Sequence, residues 1–132
     1  MSIDDVNYIV EKSHEAFYNW RKKSFKKRSE LFKKAAQILL NRINEFSQLM
    51  AQEMGKPVKD GQKEIEKCAW VCEYYAENAE KFLQPEIVNM DATKSLVTFV
   101  PLGVLLCVMP WNFPFWQVFR FSVPAIMAGN SC

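Results

Sequence analysis

Residues 101–130 read Pro-Leu-Gly-Val-Leu-Leu-Cys-Val-Met-Pro-Trp-Asn-Phe-Pro-Phe-Trp-Gln-Val-Phe-Arg-Phe-Ser-Val-Pro-Ala-Ile-Met-Ala-Gly-Asn, and the fold turns on them. Residues 104–109 form an unbroken apolar hexamer, the pattern of a strand buried on both faces. Residues 110–114, with a proline at each end, read as a loop. Residues 115–121 have helical texture. Ser122-Val123 ahead of Pro124 predicts a break, because the residue before a proline is biased out of the helical region. Pro124 can then start a further turn that ends at Gly129-Asn130. Strand, loop and helix make the first half of a β-α-β unit, so the next strand should begin near Cys132. Upstream only a weak hairpin offers the hexamer a partner, and the stretch predicts an incomplete domain.

Before it the chain is patterned as helix. Ser2 and Asp5 carry a capping-box signature, in which hydroxyl and carboxylate satisfy free amides of a first turn. Val6, Ile9, Val10, Ala16, Phe17 and Trp20 then share one face to about Lys23. Ser24 can cap a second helix with the stripe Phe32, Ala35, Leu39, Ile43, Phe46 and Met50. Gly55 and Pro57 end that helix. A third runs over about residues 58–83, with Ile65, Cys68, Ala69, Cys72, Tyr75, Ala76, Ala79 and Phe82 on its buried side, and Pro85 stops it. The short Gly-Lys-Pro turn predicts a helical hairpin. Residues 87–90 and 95–100, around a turn at 91–94, predict a β-hairpin.

Composition narrows the function. At 132 residues there is room for one modest core, and 49% hydrophobic with 24% charged residues is ordinary for a soluble globular protein. A net charge of +2 gives no argument for nucleic acid or an acidic membrane surface. The basic run at residues 21–28 sits at a predicted helix junction and reads as a solvated corner. The longest apolar run, residues 99–109, contains Pro101 and Gly103 and is too short to span a bilayer. Cys68, Cys72, Cys107 and Cys132 show no disulfide framework, and with a single histidine, His14, no metal site is expected. Reduced thiols and no recognisable signal peptide predict a cytoplasmic protein.

The stretch around Pro110-Trp111-Asn112-Phe113-Pro114, followed by a helix ending at Ala128-Gly129-Asn130, closely resembles the aldehyde dehydrogenase superfamily. Glu53-Met54-Gly55-Lys56-Pro57, with Glu64 seven residues on, matches a second stretch of that family in the right order. The Trp-Gln-Val-Phe-Arg continuation looks most like bacterial succinate-semialdehyde dehydrogenases. The resemblance covers the whole chain but only the amino-terminal part of a longer family member. It implies an α/β fold: residues 1–85 as the helical start of the cofactor-binding domain, 86–101 as a β-hairpin of the oligomerisation type, and 102–132 as the first β-α of an incomplete Rossmann-like cofactor domain. It also implies an NAD- or NADP-dependent oxidation of a small aldehyde in a homo-oligomer, dimer or tetramer.

Roles for single residues follow from the same resemblance. Asn112 by residue type alone closes a turn; the family implies an oxyanion donor. Met109, Pro110, Trp111 and Asn112 lie where open parallel sheets bind ligands, and the family implies contact with the nicotinamide cofactor; Trp111 also reads as a core aromatic. Arg120 is the candidate for the distal carboxylate of succinate semialdehyde, which a guanidinium can grip by both oxygens. Its other reading is an arginine facing solvent or a second subunit. Phe113 and Trp116 are expected beside it on one wall of a tunnel, or as packing residues.

The family's nucleophilic cysteine, general-base glutamate and ribose-binding lysine and glutamate find no match among these residues. None of the four cysteines has the nucleophile's context, and the 132 residues alone are expected to be inactive. The competing expectation is a non-catalytic helical module whose exposed apolar tail docks onto a partner chain.

Overall fold

The computed structural model describes residues 2–91 and 94–132. Ser2 starts α1 (Ile3–Trp20) as its spacing predicts: Asp5 N donates to Ser2 Oγ at 3.1 Å, and Ser2 N donates to Asp5 Oδ2 at 2.6 Å. The stripe on α1 does not pack as expected. Only Phe17 is buried, while Val6, Ile9 and Val10 are exposed. α1 is tied down at its far end, where Trp20 Nε1 donates to Ile126 O at 2.7 Å and Ser131 Oγ to Ser13 O at 2.9 Å.

The second predicted helix is two. α2 (Phe25–Asn41), capped by Ser24, and α3 (Ile43–Met54) meet at Arg42, whose φ of −109° and ψ of 19° leave the helical region. The predicted stripe still faces inward, because the break shifts the axis without losing the face: Leu39 and Met50 are buried, and Ile43 and Phe46 pack against the core. Gly55, at φ 72°, ends α3 in the left-handed conformation that a residue without Cβ adopts at no steric cost. After Pro57 the chain reverses into α4 (Val58–Phe82).

α4 is the spine. Its residues Ile65, Cys68, Ala69, Cys72 and Ala79 are buried between α2, α3 and the last helix, α5 (Trp116–Met127). Full burial of a side chain such as Ile65 contributes about 1.5–3 kcal/mol. Phe82, expected inside, is exposed at the α4 end. Pro124 does not break α5 as predicted. Val123 and Met127 on either side are fully buried, and this anchoring carries the helix through the amide that Pro124 lacks.

The hairpin is shorter than its sequence suggests. β1 (Glu86–Ile87) and β2 (Leu96–Val97) pair antiparallel, Glu86 opposite Val97 and Ile87 opposite Leu96. Part of the predicted turn, residues 92–93, lies outside the described residues.

Residues 104–109 are not a doubly buried strand. Leu106 and Val108 are 88% and 86% exposed, because among the described residues nothing covers that face. Pairing is confined to their start. Val104 bridges Ser131 in parallel, with Leu105 N donating to Ser131 O at 2.8 Å and Ser131 N to Gly103 O at 3.0 Å. Where a strand is expected near Cys132 there is this single bridge at Ser131, in the parallel sense a β-α-β unit requires.

Candidate active-site loop

Two ends of α5 are fixed by side chains from far upstream. At its carboxyl end the last carbonyls, two of them already accepting from the Gly129 and Asn130 amides, take side-chain donors as well. Asn130 Nδ2 donates to Ala125 O at 2.9 Å, Trp20 Nε1 to Ile126 O, and Arg28 Nη1 to Met127 O at 2.8 Å. Asn130 Oδ1 also accepts from Gly103 N at 3.0 Å, so one buried amide joins α5 to the start of the bridged segment. Gly129 (φ 97°) lets Arg28 approach; a Cβ there would sit 2.8 Å from Nη1. Arg28 is therefore not part of a solvated corner. It is 6% exposed, lies over the Phe25 ring, and burial pushes its guanidinium below the ordinary arginine value.

At the amino end stands Glu64. Its Oε1 accepts from Phe115 N at 3.0 Å and Trp116 N at 2.8 Å, where a helix start presents free amides and favours an anion. Its other oxygen pairs with Lys56, and Lys56 Nζ also donates to Asn112 O at 3.3 Å. The same ammonium lies 3.8 Å from the centre of the Phe113 ring. Lys56 and Glu64 thus hold the loop at residues 112, 113, 115 and 116.

The sequence-predicted residues divide among three cavities. Phe113 and Trp116 meet in one of about 400 Å³ with Lys56, Glu64 and Lys67, the last lying 4.1 Å over the Trp116 ring. Met109 and Arg120 share another of about 380 Å³ with Gln117 and Phe121. Arg120 is therefore not on one wall with Phe113 as expected. Phe113 precedes the helix and is drawn to Lys56, while Arg120 turns toward residues 106–109. Trp111, 76% exposed and so no core aromatic here, borders a cavity of about 540 Å³ beside Glu53, Met54 and Phe115. Pro110 and Asn112 are exposed at the loop tip.

Three of the cysteines are disfavoured as thiolates. Burial pushes Cys68 and Cys72 up to about 12 and Cys132 up to about 11, so neutral thiols prevail at neutral pH.

Lys56 and Glu64 belonged to a recognised stretch, yet the sequence reading gave them no role. A signal existed: Glu64 stands four and eight residues before Cys68 and Cys72, on the buried face of α4, where a carboxylate needs a partner.

The Aldehyde dehydrogenase family model matches residues 1–132. The chain belongs to the aldehyde dehydrogenase family. Within it, the chain is 48% identical over 126 residues to a probable succinate-semialdehyde dehydrogenase (NADP(+)) of Synechocystis sp., covering 96% of this chain and 28% of that protein. It is 41% identical over 130 residues to a succinate-semialdehyde dehydrogenase (NADP(+)) of Mycobacterium leprae, again 96% of this chain and 28% of that one. Among solved structures, the succinic semialdehyde dehydrogenase of Streptococcus pyogenes in complex with NADP+ superposes with a TM-score of 0.91 at 30% identity, over 98% of this chain and 29% of that chain. An NAD-dependent aldehyde dehydrogenase of Sinorhizobium meliloti gives 0.90 at 33% identity, over 98% and 26%. The aldehyde dehydrogenase chain described here thus spans little more than a quarter of the length of these relatives. It has the α/β start of their fold, mostly helix with a two-stranded sheet.

Proposed function

We propose that these residues are the amino-terminal part of an NAD(P)-dependent aldehyde dehydrogenase that oxidises succinate semialdehyde to succinate. The observation that carries the reading is the loop bearing Asn112, held by Lys56 and Glu64 at the end of a segment bridged in parallel, in a chain of this family. The names of the two relatives support succinate semialdehyde as substrate and NADP as cofactor.

The residues at hand fit the cofactor in kind. Met109, Pro110 and Trp111 are partly or fully exposed, apolar, and follow a parallel bridge, the place where open sheets take their ligands. Bound beside these residues, NAD(P)+ would supply the hydride acceptor. What this chain contributes is a donor and a charge. The amide of Asn112 donates to the aldehyde oxygen as a cysteine thiolate from the family's later polypeptide adds to the carbonyl carbon, and a preset donor stabilises that charge without reorganising. Arg120, beside Met109, takes the distal carboxylate, while Phe113 and Trp116, in a separate cavity with Lys56, serve as packing residues of the loop. Residues 1–85 serve as the helical start of the cofactor domain, 86–101 as an oligomerisation hairpin of a dimer or tetramer, and 102–132 as the first β-α of a Rossmann-like unit. No described helix is long and apolar enough to cross a membrane, and a cytoplasmic location fits this reading.

Two assays test it. The chain extended to family length is expected to oxidise succinate semialdehyde with NADP+, and the 132 residues alone are expected to show no turnover; turnover by the short chain would refute the reading. Arg120→Met is expected to lower kcat/KM for succinate semialdehyde relative to butanal by about ten- to hundred-fold, the worth of a charged hydrogen bond. An unchanged ratio would remove Arg120 from substrate recognition.

A further inference from the structure

We infer that Lys56 and Glu64 are positioning residues: together they latch the loop at residues 112–116 and so set the direction of the Asn112 side chain. The inference rests on the proposed role of Asn112 and deepens it.

Burial separates this pair from the rest. Its side chains are 9% and 2% exposed, whereas in every other ion pair among the described residues both side chains are at least 46% exposed. Exposed pairs contribute little and are screened by salt. A buried pair gives up much hydration, and well-packed apolar side chains of similar volume serve stability as well or better. What apolar side chains cannot do is aim the backbone. Glu64 accepts two adjacent amides at the start of α5, and Lys56 reaches the Asn112 carbonyl and the Phe113 ring. The four residues flanking and including Asn112 are tied to two charges that neutralise one another. Both charges come from the α3–α4 turn region, which the inward stripe of α3 and the apolar face of α4 anchor in the core. A donor for a developing oxyanion must be aimed before the charge appears, and a displacement of about 1 Å costs on the order of a hundredfold in rate. The latch supplies that aim through hydrogen bonds that reach across 51 to 56 residues of chain.

The test uses the family-length chain carrying these residues. Lys56→Met and Glu64→Gln are each expected to accelerate hydrogen exchange at the Phe115 and Trp116 amides, with the α2 amides unchanged. Each is expected to lower kcat by about ten- to hundred-fold while the KM for NADP+ stays within about twofold. The double variant should lose no more than the worse single one, because both substitutions open one latch. Faster exchange with unchanged kcat would show a merely structural pair and overturn the inference, as would unchanged exchange at 115 and 116. Should Lys56→Met fail to fold, the near-isosteric Glu64→Gln carries the same readouts. Exchange is independent of turnover, so a failure of the proposed Asn112 role appears elsewhere, as an unaltered kcat in Asn112→Ala.

Discussion

Asn112→Ala in the family-length enzyme is expected to lower kcat by about 10²–10³-fold, the loss seen when one preset oxyanion donor is removed. The KM for succinate semialdehyde should move little, because the amide meets full negative charge only as the thiolate adds. Folding should be nearly untouched. The side chain is exposed at the loop tip, and the contact that Asn112 makes with Lys56 runs through its backbone carbonyl, which alanine keeps. Steady-state kinetics beside a urea titration separate the two effects. A fall in stability with no fall in kcat would return Asn112 to the turn-closing role its residue type suggests.

Asn130→Ala should act on folding. Its buried side chain accepts from Gly103 N and donates to Ala125 O; alanine strands the Gly103 amide, whereas Ala125 O keeps the Asn130 backbone N–H at 3.1 Å. An unsatisfied buried amide costs about 1–3 kcal/mol, and that is the loss expected. The urea midpoint of the variant reads it; a midpoint within error of the parent would show that water replaces the bond to Gly103. The same amide joins α5 to the bridged segment. Loosening it should also free the Val104–Ser131 contact, visible as faster exchange at Leu105 N.

What the sequence made legible followed from local chemistry. Ser2 with Asp5, Ser24, and Gly55 with Pro57 name helix boundaries because each acts within one turn of itself. The stripes of α3 and α4 name the core because a period of 3.6 survives in the residue order. The misses are tertiary. Arg42 interrupts a helix without glycine or proline, and α5 runs through Pro124 because Val123 and Met127 are held in the core. Leu106 and Val108 form an apolar run that the described residues leave uncovered, so apolarity alone misstated their burial. Arg28 lies in a basic run, yet its partner carbonyl is 99 residues away.

The candidate site divides along the same line. The Pro-Trp-Asn-Phe-Pro loop and its family likeness were visible in the residues. Its grip by Lys56 and Glu64 was not, since those hydrogen bonds span 51 to 56 residues. Local spacing also placed Arg120 with Phe113, whereas the loop sends Phe113 toward Lys56 and leaves Arg120 beside Met109.

The central claim is that Asn112 is aimed at an oxygen which becomes charged. A crystal structure of the family-length enzyme trapped with succinate semialdehyde bound to its nucleophilic thiol tests this most directly. The account predicts the Asn112 amide nitrogen about 2.7–3.1 Å from that oxygen, with Lys56 and Glu64 still joined beneath the loop. An amide turned to solvent, with the oxygen held by other groups, would contradict it.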